Sequence, residues 1–150
     1  GPDIARRSEN AINNKFSFPR PMINSNDHNF SFSGLKTHVI NKLQKIELTN
    51  ESINNISFEL QDSIVEILIS KSLKASQDYG IKNIVVTGGV SANKRLRDKF
   101  SQVSNYDVFF PDVKFSTDNG AMIAYAGFLK SRSSDIEKNF KIKPNPSLTL

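Results

Sequence analysis

The sequence predicts an α/β fold that is rich in helix and has few sheet strands. Two short apolar runs, residues 83–87 and 106–110, alternate with segments whose apolar residues recur every three or four positions. Continuous apolar runs between helices are typical of buried strands, and strands joined through a helix pair in parallel. We therefore expect an α/β layer in which the two strands pair in parallel through a right-handed crossover.

The first third of the chain is predicted to be partly irregular. Residues 3–13 suggest a short helix, whereas residues 14–31 hold two prolines and a polar run that favour a surface loop. Phenylalanine and serine alternate over residues 30–33, as in a short half-buried strand that ends at Gly34. Apolar residues spaced four, four and three apart then predict a helix over residues 35–46.

A long helix is predicted next. Thr49 and Asn50 offer a cap, the apolar side continues to about Tyr79, and Gly80 suits a left-handed helix end.

Two further helices are expected after the first strand. One follows Gly89 and has Leu96 and Phe100 on its buried side. The last begins at residues 117–119 and ends at about Ser131. The tail over residues 142–150 is predicted to be extended, because it holds two prolines.

Composition narrows the possible functions. The 150 residues suffice for one domain, and 37% apolar with 23% charged residues is typical of an ordinary globular chain. Cysteine is absent, which excludes disulfides and thiolate metal sites. No apolar stretch approaches the roughly 20 residues that cross a bilayer, and the basic N-terminus lacks the apolar region of a signal peptide. The net charge of +5 suits a polyanion such as tRNA, but the basic residues are spread, so genome-wide composition explains it equally well.

The turn after the first strand is one candidate site. Gly88 and Gly89 let the backbone approach a ligand at the carboxyl edge of the sheet, and Ser91 or Asn93 lies at the following helix start, where phosphate binds well. Asn93 also offers donor and acceptor atoms for a ribose or a base edge. The alternative is an ordinary strand-to-helix turn that Ser91 caps.

The start of the last helix is the other candidate. Asp118 is a possible carboxylate ligand for a divalent metal, but Thr117 or Asp118 would equally make a normal helix cap. His28 and His38 are ten residues apart and lie among loop or surface residues, so we interpret both as ordinary polar residues.

Four segments with characteristic order and spacing carry a family resemblance, which runs to about residue 130. They are Phe-Pro-Arg-Pro-Met at 18–22, Ser-Phe-Ser-Gly-Leu-Lys-Thr at 31–37, Gly-Gly-Val-Ser-Ala-Asn at 88–93 and Thr-Asp-Asn-Gly-Ala-Met at 117–122. Together they resemble the C-terminal half of the TsaD family of tRNA threonylcarbamoyladenosine transferases, in its bacterial and organellar branch.

The resemblance implies a partial lobe of an actin, Hsp70 and sugar-kinase-like (ASKHA) fold. Residues 1–47 would be an insertion with the first two motifs, residues 48–133 the nucleotide- and metal-facing part, and residues 134–150 the tail. It implies transfer of a threonylcarbamoyl group from threonylcarbamoyl-AMP to N6 of the adenosine beside the anticodon, in tRNAs that read codons beginning with A.

Site residues and partners follow from the same resemblance. Asn93, Gly88 and Gly89 match the positions that face the adenylate, and Asp118 matches the carboxylate ligand of one divalent metal, iron or zinc. No residue is assigned as catalytic. The family's accessory proteins of the TsaB and TsaE type would be partners in a bacterium, a homodimer is expected in an organelle, and no membrane is involved. The cytoplasm is the expected location, with mitochondria as the alternative.

Departures from the family pattern limit these expectations. Ser116 stands where the family commonly has cysteine, and the family's histidine pair, which completes the metal site, would lie upstream of Gly1. Gly1 and Pro2 match the end of a Gly-Gly-Pro motif, so we expect native sequence rather than a purification remnant. We expect the chain to be inactive without the N-terminal lobe, and to expose an unsatisfied sheet edge. The alternatives are another actin-like ATP-binding enzyme, such as a kinase, and a non-catalytic fragment that docks on a partner.

Overall fold

The computed structural model describes residues 1–12 and 16–133, which divide into two compact units. The first unit is Gly1–Thr117, and the second begins at Asp118. The helices are α1 (Pro2–Ser8), α2 (Ser33–Leu43), α3 (Asn50–Asp78), α4 (Lys94–Ser101) and α5 (Gly120–Ser133), and the strands are β1 (Asn83–Val85) and β2 (Asp107–Phe109). Two 3₁₀ turns, Gly89–Ala92 and Val113–Phe115, precede α4 and α5. The predicted helix-rich α/β chain with few strands is confirmed, whereas the predicted tail over residues 142–150 lies outside the described residues.

Helix α3 is the central element of the first unit, and its predicted bounds are confirmed. Thr49 and Ser52 form a reciprocal capping box, in which each side chain accepts a hydrogen bond from the other residue's backbone N–H. At the other end Gly80 adopts a φ of 66°, the left-handed conformation that glycine takes at least cost. Because neighbours pack on several sides of α3, its fully buried positions include polar residues as well as Ile56, Val65 and Ile67.

The segment before α3 is less regular than predicted. Helix α1 ends at Ser8 rather than near residue 13, and α2 begins at Ser33 and ends at Leu43 rather than spanning 35–46. The predicted strand over residues 30–33 is wrong. Phe30 and Phe32 are exposed, their rings stack with centroids 6.3 Å apart, and Phe32 is the residue from which α2 begins. A strand needs a neighbouring strand to complete its backbone hydrogen bonds. Within the described residues the sheet consists of β1 and β2, so residues 30–33 have no strand to pair with.

A first hydrophobic cluster holds this segment against α3. Its fully buried members are Phe18, Leu35, Val39 and Ile56. Phe18 also meets the ring of His38 edge-on, with centroids 5.7 Å apart. The phenylalanine of the Phe-Pro-Arg-Pro-Met loop is thus a core residue, which fixes the loop on the long helix.

The sheet is a parallel pair, as predicted. Ile84 lies opposite Val108 and Val85 opposite Phe109. The side of the sheet that carries Ile84 and Val108 packs on a second hydrophobic cluster, built around Val65, Leu96 and Phe100. This packing places the carboxyl end of β1, and the turn that follows it, beside α3 and α4.

The second unit contains α5, which begins at the predicted position. Its cap, however, is neither Thr117 nor Asp118: the Asn119 side chain accepts a hydrogen bond from the Met122 N–H at 2.9 Å. Asn119 directly precedes the first residue of α5, so its Oδ1 reaches the free N–H groups of the first turn. None of the described helices is long and apolar enough to cross a membrane.

Candidate functional site

The turn that follows β1 depends on one glycine conformation. Gly88 has a φ of 83°, which is unfavourable for a residue with a Cβ, and its carbonyl then accepts a hydrogen bond from the Ser91 N–H at 2.9 Å. Within the part of the chain that the structure describes, an added Cβ at Gly88 or Gly89 would meet no atom within 4 Å apart from its chain neighbours. Backbone geometry therefore explains Gly88, while both glycines present backbone to open space.

Asn93 caps α4, a role that the sequence had offered to Ser91. The Asn93 Oδ1 accepts from the Leu96 N–H at 3.0 Å, and the Asn93 Nδ2 donates to the Gln61 Oε1 at 2.9 Å. A primary amide has two N–H donors and two lone pairs, so one of each remains for a ligand. The Asn93 side chain is thus held in one orientation and keeps binding capacity.

Gln61 extends this contact toward the N-terminus. Its Nε2 donates to the Ser8 Oγ at 2.9 Å, and the Ser8 hydroxyl donates to the Ala5 carbonyl at 2.6 Å. Gln61 and Ser8 are both buried. Sequence reasoning missed Gln61, and the only available signal was a polar residue on a helix predicted to be long and largely buried.

Ser91 is buried without a side-chain partner. It is 0% exposed, and its Oγ makes no hydrogen bond among the described residues. Its carbonyl instead accepts from the Arg97 Nε at 2.6 Å. The backbone of Ser91, rather than its hydroxyl, is the part that fixes the turn.

The three basic residues beside the turn have different surroundings. Lys94 has an 81% exposed side chain that pairs with Asp98 at 2.7 Å, as expected of a solvated helix face. Arg95 turns toward α3, where it bonds Asp62 and lies 4.5 Å from the centroid of the Phe58 ring. Arg97 is also part-buried, so the solvated face that the sequence suggested applies only to Lys94.

Asp62 is the carboxylate at the centre of the α3–α4 ion pairs. Its Oδ1 accepts from Arg95 at 2.7 Å and lies 2.7 Å from the Lys99 Nζ. Desolvation opposes ionisation of Asp62, but the hydrogen bonds from Lys99 and Arg95 outweigh it and hold its pKa below the ordinary value of 3.8. This cluster fixes α4, and with it the cap residue Asn93, against the long helix.

Asp118 is the first residue of the second unit. Because Asn119 caps α5, the carboxylate of Asp118 is not required for that role. Within residues 1–12 and 16–133, no group of three or more His, Asp or Glu side chains is placed to hold a metal ion. The predicted metal role of Asp118, and its predicted meeting with residues 88–93, stay predictions.

Comparisons with known proteins agree on one family. A family model described as TsaD, tRNA N6-adenosine threonylcarbamoyltransferase, matches residues 1–125. A relative of that name from Thermosipho africanus is 42% identical over 153 residues, which cover 100% of this chain and 46% of the relative. Others of the same name, from Chromobacterium violaceum and Nitrosomonas europaea, are 39% and 47% identical over 99% and 81% of this chain. The chain spans about half the length of these curated relatives, 46%, 46% and 37% respectively.

Proposed function

Because the chain belongs to the TsaD family, we propose that it supplies the adenylate-facing turn of a tRNA N6-adenosine threonylcarbamoyltransferase. The whole enzyme would have the two-lobed fold of the actin and sugar-kinase type, of which this chain is part of one lobe. Its substrates would be threonylcarbamoyl-AMP and a tRNA that reads codons beginning with A.

The observation that carries the proposal is the arrangement around Gly88 and Asn93. The positive φ of Gly88 turns the chain sharply at the end of β1, and none of the described residues occupies the space where its Cβ would be. Asn93 lies at the start of α4 with its amide fixed by Leu96 and Gln61, and with one donor and one acceptor remaining. Free N–H groups at a helix start favour an anion such as the phosphate of an adenylate.

The reaction requires positioning more than acid–base strength. The N6 amine of adenine attacks the carbamoyl carbon, a C–N bond forms, and the nitrogen gives up one proton to solvent. The bond from that carbon to the phosphate oxygen breaks, and AMP leaves with the bonding electrons. The amine is a weak nucleophile, so holding the adenylate and the base in the reactive geometry supplies much of the rate. Gly88, Gly89 and Asn93 would hold the adenosine end of the donor in this way.

The proposal includes a divalent metal, to which this chain would contribute one ligand. Asp118 is chemically suited to be one carboxylate ligand of iron or zinc, because Asn119 provides the helix cap. One carboxylate does not hold a metal, so the other ligands would come from outside the described residues. When bound, such an ion would polarise the acyl or phosphate oxygens.

The proposed partners follow from the substrates. We propose contact with tRNA, with the lobe that completes the nucleotide cleft, and with TsaB- and TsaE-type proteins in a bacterium or a second copy in an organelle. Of the basic residues beside the turn, Lys94 is the one with an extended, solvent-exposed side chain. A tRNA substrate is compatible with the cytoplasm or with mitochondria.

Asn93→Ser provides the test in the natural full-length polypeptide. Serine caps helices as well as asparagine does, so the cap of α4 is kept, but the amide donor toward the ligand is lost together with the bond to Gln61, which should lower stability by about 1–3 kcal/mol. We expect kcat/KM for threonylcarbamoyl transfer to fall about tenfold, equivalent to roughly 1.4 kcal/mol, with most of the change in KM for the adenylate. The measurement is incorporation of threonylcarbamoyl into tRNA at varied adenylate concentration.

The control is Thr49→Ala, which removes the cap of α3 away from the turn. It should lower stability by about 1 kcal/mol and leave KM unchanged. Wild-type polypeptide that transfers phosphate from ATP but no threonylcarbamoyl group would contradict the proposed reaction. An unchanged KM in Asn93→Ser would contradict the proposed role of this residue.

A further inference from the structure

Arg97 joins two segments that lie apart in the sequence. Its Nε donates to the Ser91 carbonyl at 2.6 Å, inside the 3₁₀ turn that follows Gly88. Its Nη2 donates to the Pro111 carbonyl at 2.7 Å, and the Ser116 Oγ lies 3.4 Å from the same nitrogen. One side chain of α4 therefore spans from the glycine turn to the residues that directly precede Thr117 and Asp118.

The contacts require the guanidinium group in particular. The N–H donors of an arginine point in fixed directions in one plane, so one side chain can bond two carbonyls that lie in different directions. The single ammonium of a lysine does this less well, because its stem is flexible. The group also lies 4.7 Å from the centroid of the Phe110 ring, which supports it from one side. The three acceptors, two carbonyls and one hydroxyl, carry no charge. These contacts therefore depend on the directions of the N–H donors rather than on attraction between opposite charges.

The segment that Arg97 holds contains little regular structure. Residues 111–116 contain only a three-residue 3₁₀ turn, Val113–Phe115, in which Val113 and Phe115 are exposed. Ser116 is buried, and its hydroxyl lies between the Asp112 carbonyl and Arg97, at 3.4 Å from each partner. The bond to Pro111 and the contact with Ser116 thus fix both ends of this segment.

Arg95 provides a natural comparison on the same helix. It is two residues away, lies over the Phe58 ring and bonds Asp62, so it joins α4 to α3 and touches neither the turn nor residues 111–116 in its named contacts. The two arginines share residue type, helix and partial burial but hold different parts of the molecule.

We propose that Arg97 is a positioning residue that holds the Gly88–Ala92 turn and the chain leading into Asp118 in one fixed arrangement. The inference rests on the proposed function, because it assigns the turn to the adenylate. Arg97 itself touches neither ligand nor metal in this proposal, and acts through the Ser91 and Pro111 carbonyls. Loss of the guanidinium should therefore weaken ligand binding without removing any group that contacts the ligand.

The test compares Arg97→Lys with Arg95→Lys in the natural full-length polypeptide. Hydrogen exchange measured by mass spectrometry should rise at residues 89–92 and 113–116 in Arg97→Lys, and not in Arg95→Lys. AMP, used alone as the probe in calorimetry, should bind at least tenfold more weakly to Arg97→Lys than to wild type. Arg95→Lys should bind AMP within about twofold of wild type, because lysine keeps a positive charge beside Asp62 and Lys99 still pairs with that carboxylate.

Two outcomes overturn the inference. One is faster exchange spread evenly over the first unit in Arg97→Lys, and the other is equal loss of AMP affinity in both variants. If Arg97→Lys does not fold, Ser116→Ala removes only the hydroxyl that contacts Arg97 and the Asp112 carbonyl, and it should raise exchange at residues 113–116 alone. No change there would also overturn the proposal. AMP binding that is weakened in Arg97→Lys, together with a wild-type polypeptide that transfers no threonylcarbamoyl group, would contradict the proposed reaction but not this inference.

Discussion

The chain before α3 and the chain after it are held to the same helix by different chemistry. Before α3, the Phe18 N–H donates to the buried Glu59 carboxylate at 3.1 Å, and the Lys71 Nζ donates to the carbonyls of Ser25 and Asp27 at 2.9 Å each. After α3, the strands and α4 pack mainly through an apolar cluster. Besides an apolar cluster in each region, polar side chains of α3 bond backbone groups of the first region, whereas with α4 they pair with side chains.

The difference arises because only the region after α3 completes most of its backbone hydrogen bonds within its own helix and strands. Strands β1 and β2 bond each other and α4 bonds itself, so the backbone of that region is satisfied locally, and α3 holds it through the apolar cluster and the Asp62 ion pairs. Residues 16–32 form neither helix nor strand, and their backbone groups must find partners elsewhere. The buried Glu59 and Lys71 of α3 supply those partners. Glu59 and Lys71 thus mark where the irregular segment before α3 is anchored.

Removal of Arg20 should produce the largest loss of stability. Arg20 bonds Glu59, whose side chain is 3% exposed, and it also pairs with Glu66 at 2.8 Å. Arg20→Met leaves the Glu59 charge buried without its ion partner, which we expect to lower the free energy of unfolding by about 3–5 kcal/mol. Urea denaturation of the natural full-length polypeptide measures the change.

Arg6→Met is the matched control for this charge pair. Arg6 and Asp3 pair at 2.9 Å with side chains 75% and 85% exposed, so the loss should be about 0–1 kcal/mol. The double variant Arg20→Met/Glu59→Gln should recover part of the loss, because residue 59 then carries no unpaired buried charge. A loss in Arg20→Met as small as that in Arg6→Met would show that apolar packing alone holds the first segment.

Truncation of Leu96 tests the apolar side of the comparison. Leu96 is 2% exposed and belongs to the cluster between α3, α4 and the sheet. Leu96→Ala should lower the free energy of unfolding by about 2–5 kcal/mol through lost contacts and a cavity. Leu48→Ala, at a residue that is 57% exposed, should change it by no more than about 0.5 kcal/mol. A loss for Leu96→Ala that shrinks strongly with added salt would contradict apolar packing as its cause.

Sequence periodicity predicted the buried apolar residues of both regions better than their polar contacts. The spacing of Leu35 and Val39, and of Leu96 and Phe100, identified buried helix faces, because burial of apolar residues depends mainly on local period. The alternation at Phe30 and Phe32 failed, because a strand also needs a partner, and residues 30–33 do not reveal one.

The contacts of the candidate site were harder to predict, because they join residues far apart in the chain. Gly88 and Asn93 stood out through motif and turn chemistry, and the positive φ of Gly88 is what a tight turn requires. Gln61 is 32 positions from Asn93, and the Ser116 side chain is 19 positions from Arg97. Polar residues on a helix carry the same local pattern whether they face solvent or a buried partner, so only the folded chain distinguishes Arg97 from Lys94.

Acid should release the first segment before the apolar region, with a smaller effect than either truncation. The hydrogen bond from Ser25, with further ones from Asn29 and Lys71, lowers the pKa of Asp27 from 3.8 to about 2. A carboxylate with a lowered pKa stabilises the fold fully above its unfolded pKa near 3.8, and this contribution is lost as the pH falls toward 2. Asp27→Asn should therefore show a flatter decline of stability than wild type between pH 4 and pH 2, measured as the urea midpoint at each pH.

Ser25→Ala, which removes the largest cause of the shift, should move the wild-type decline to higher pH. Parallel curves for wild type and Asp27→Asn would show that the Lys71 bonds to the two backbone carbonyls hold this loop without help from the Asp27 charge.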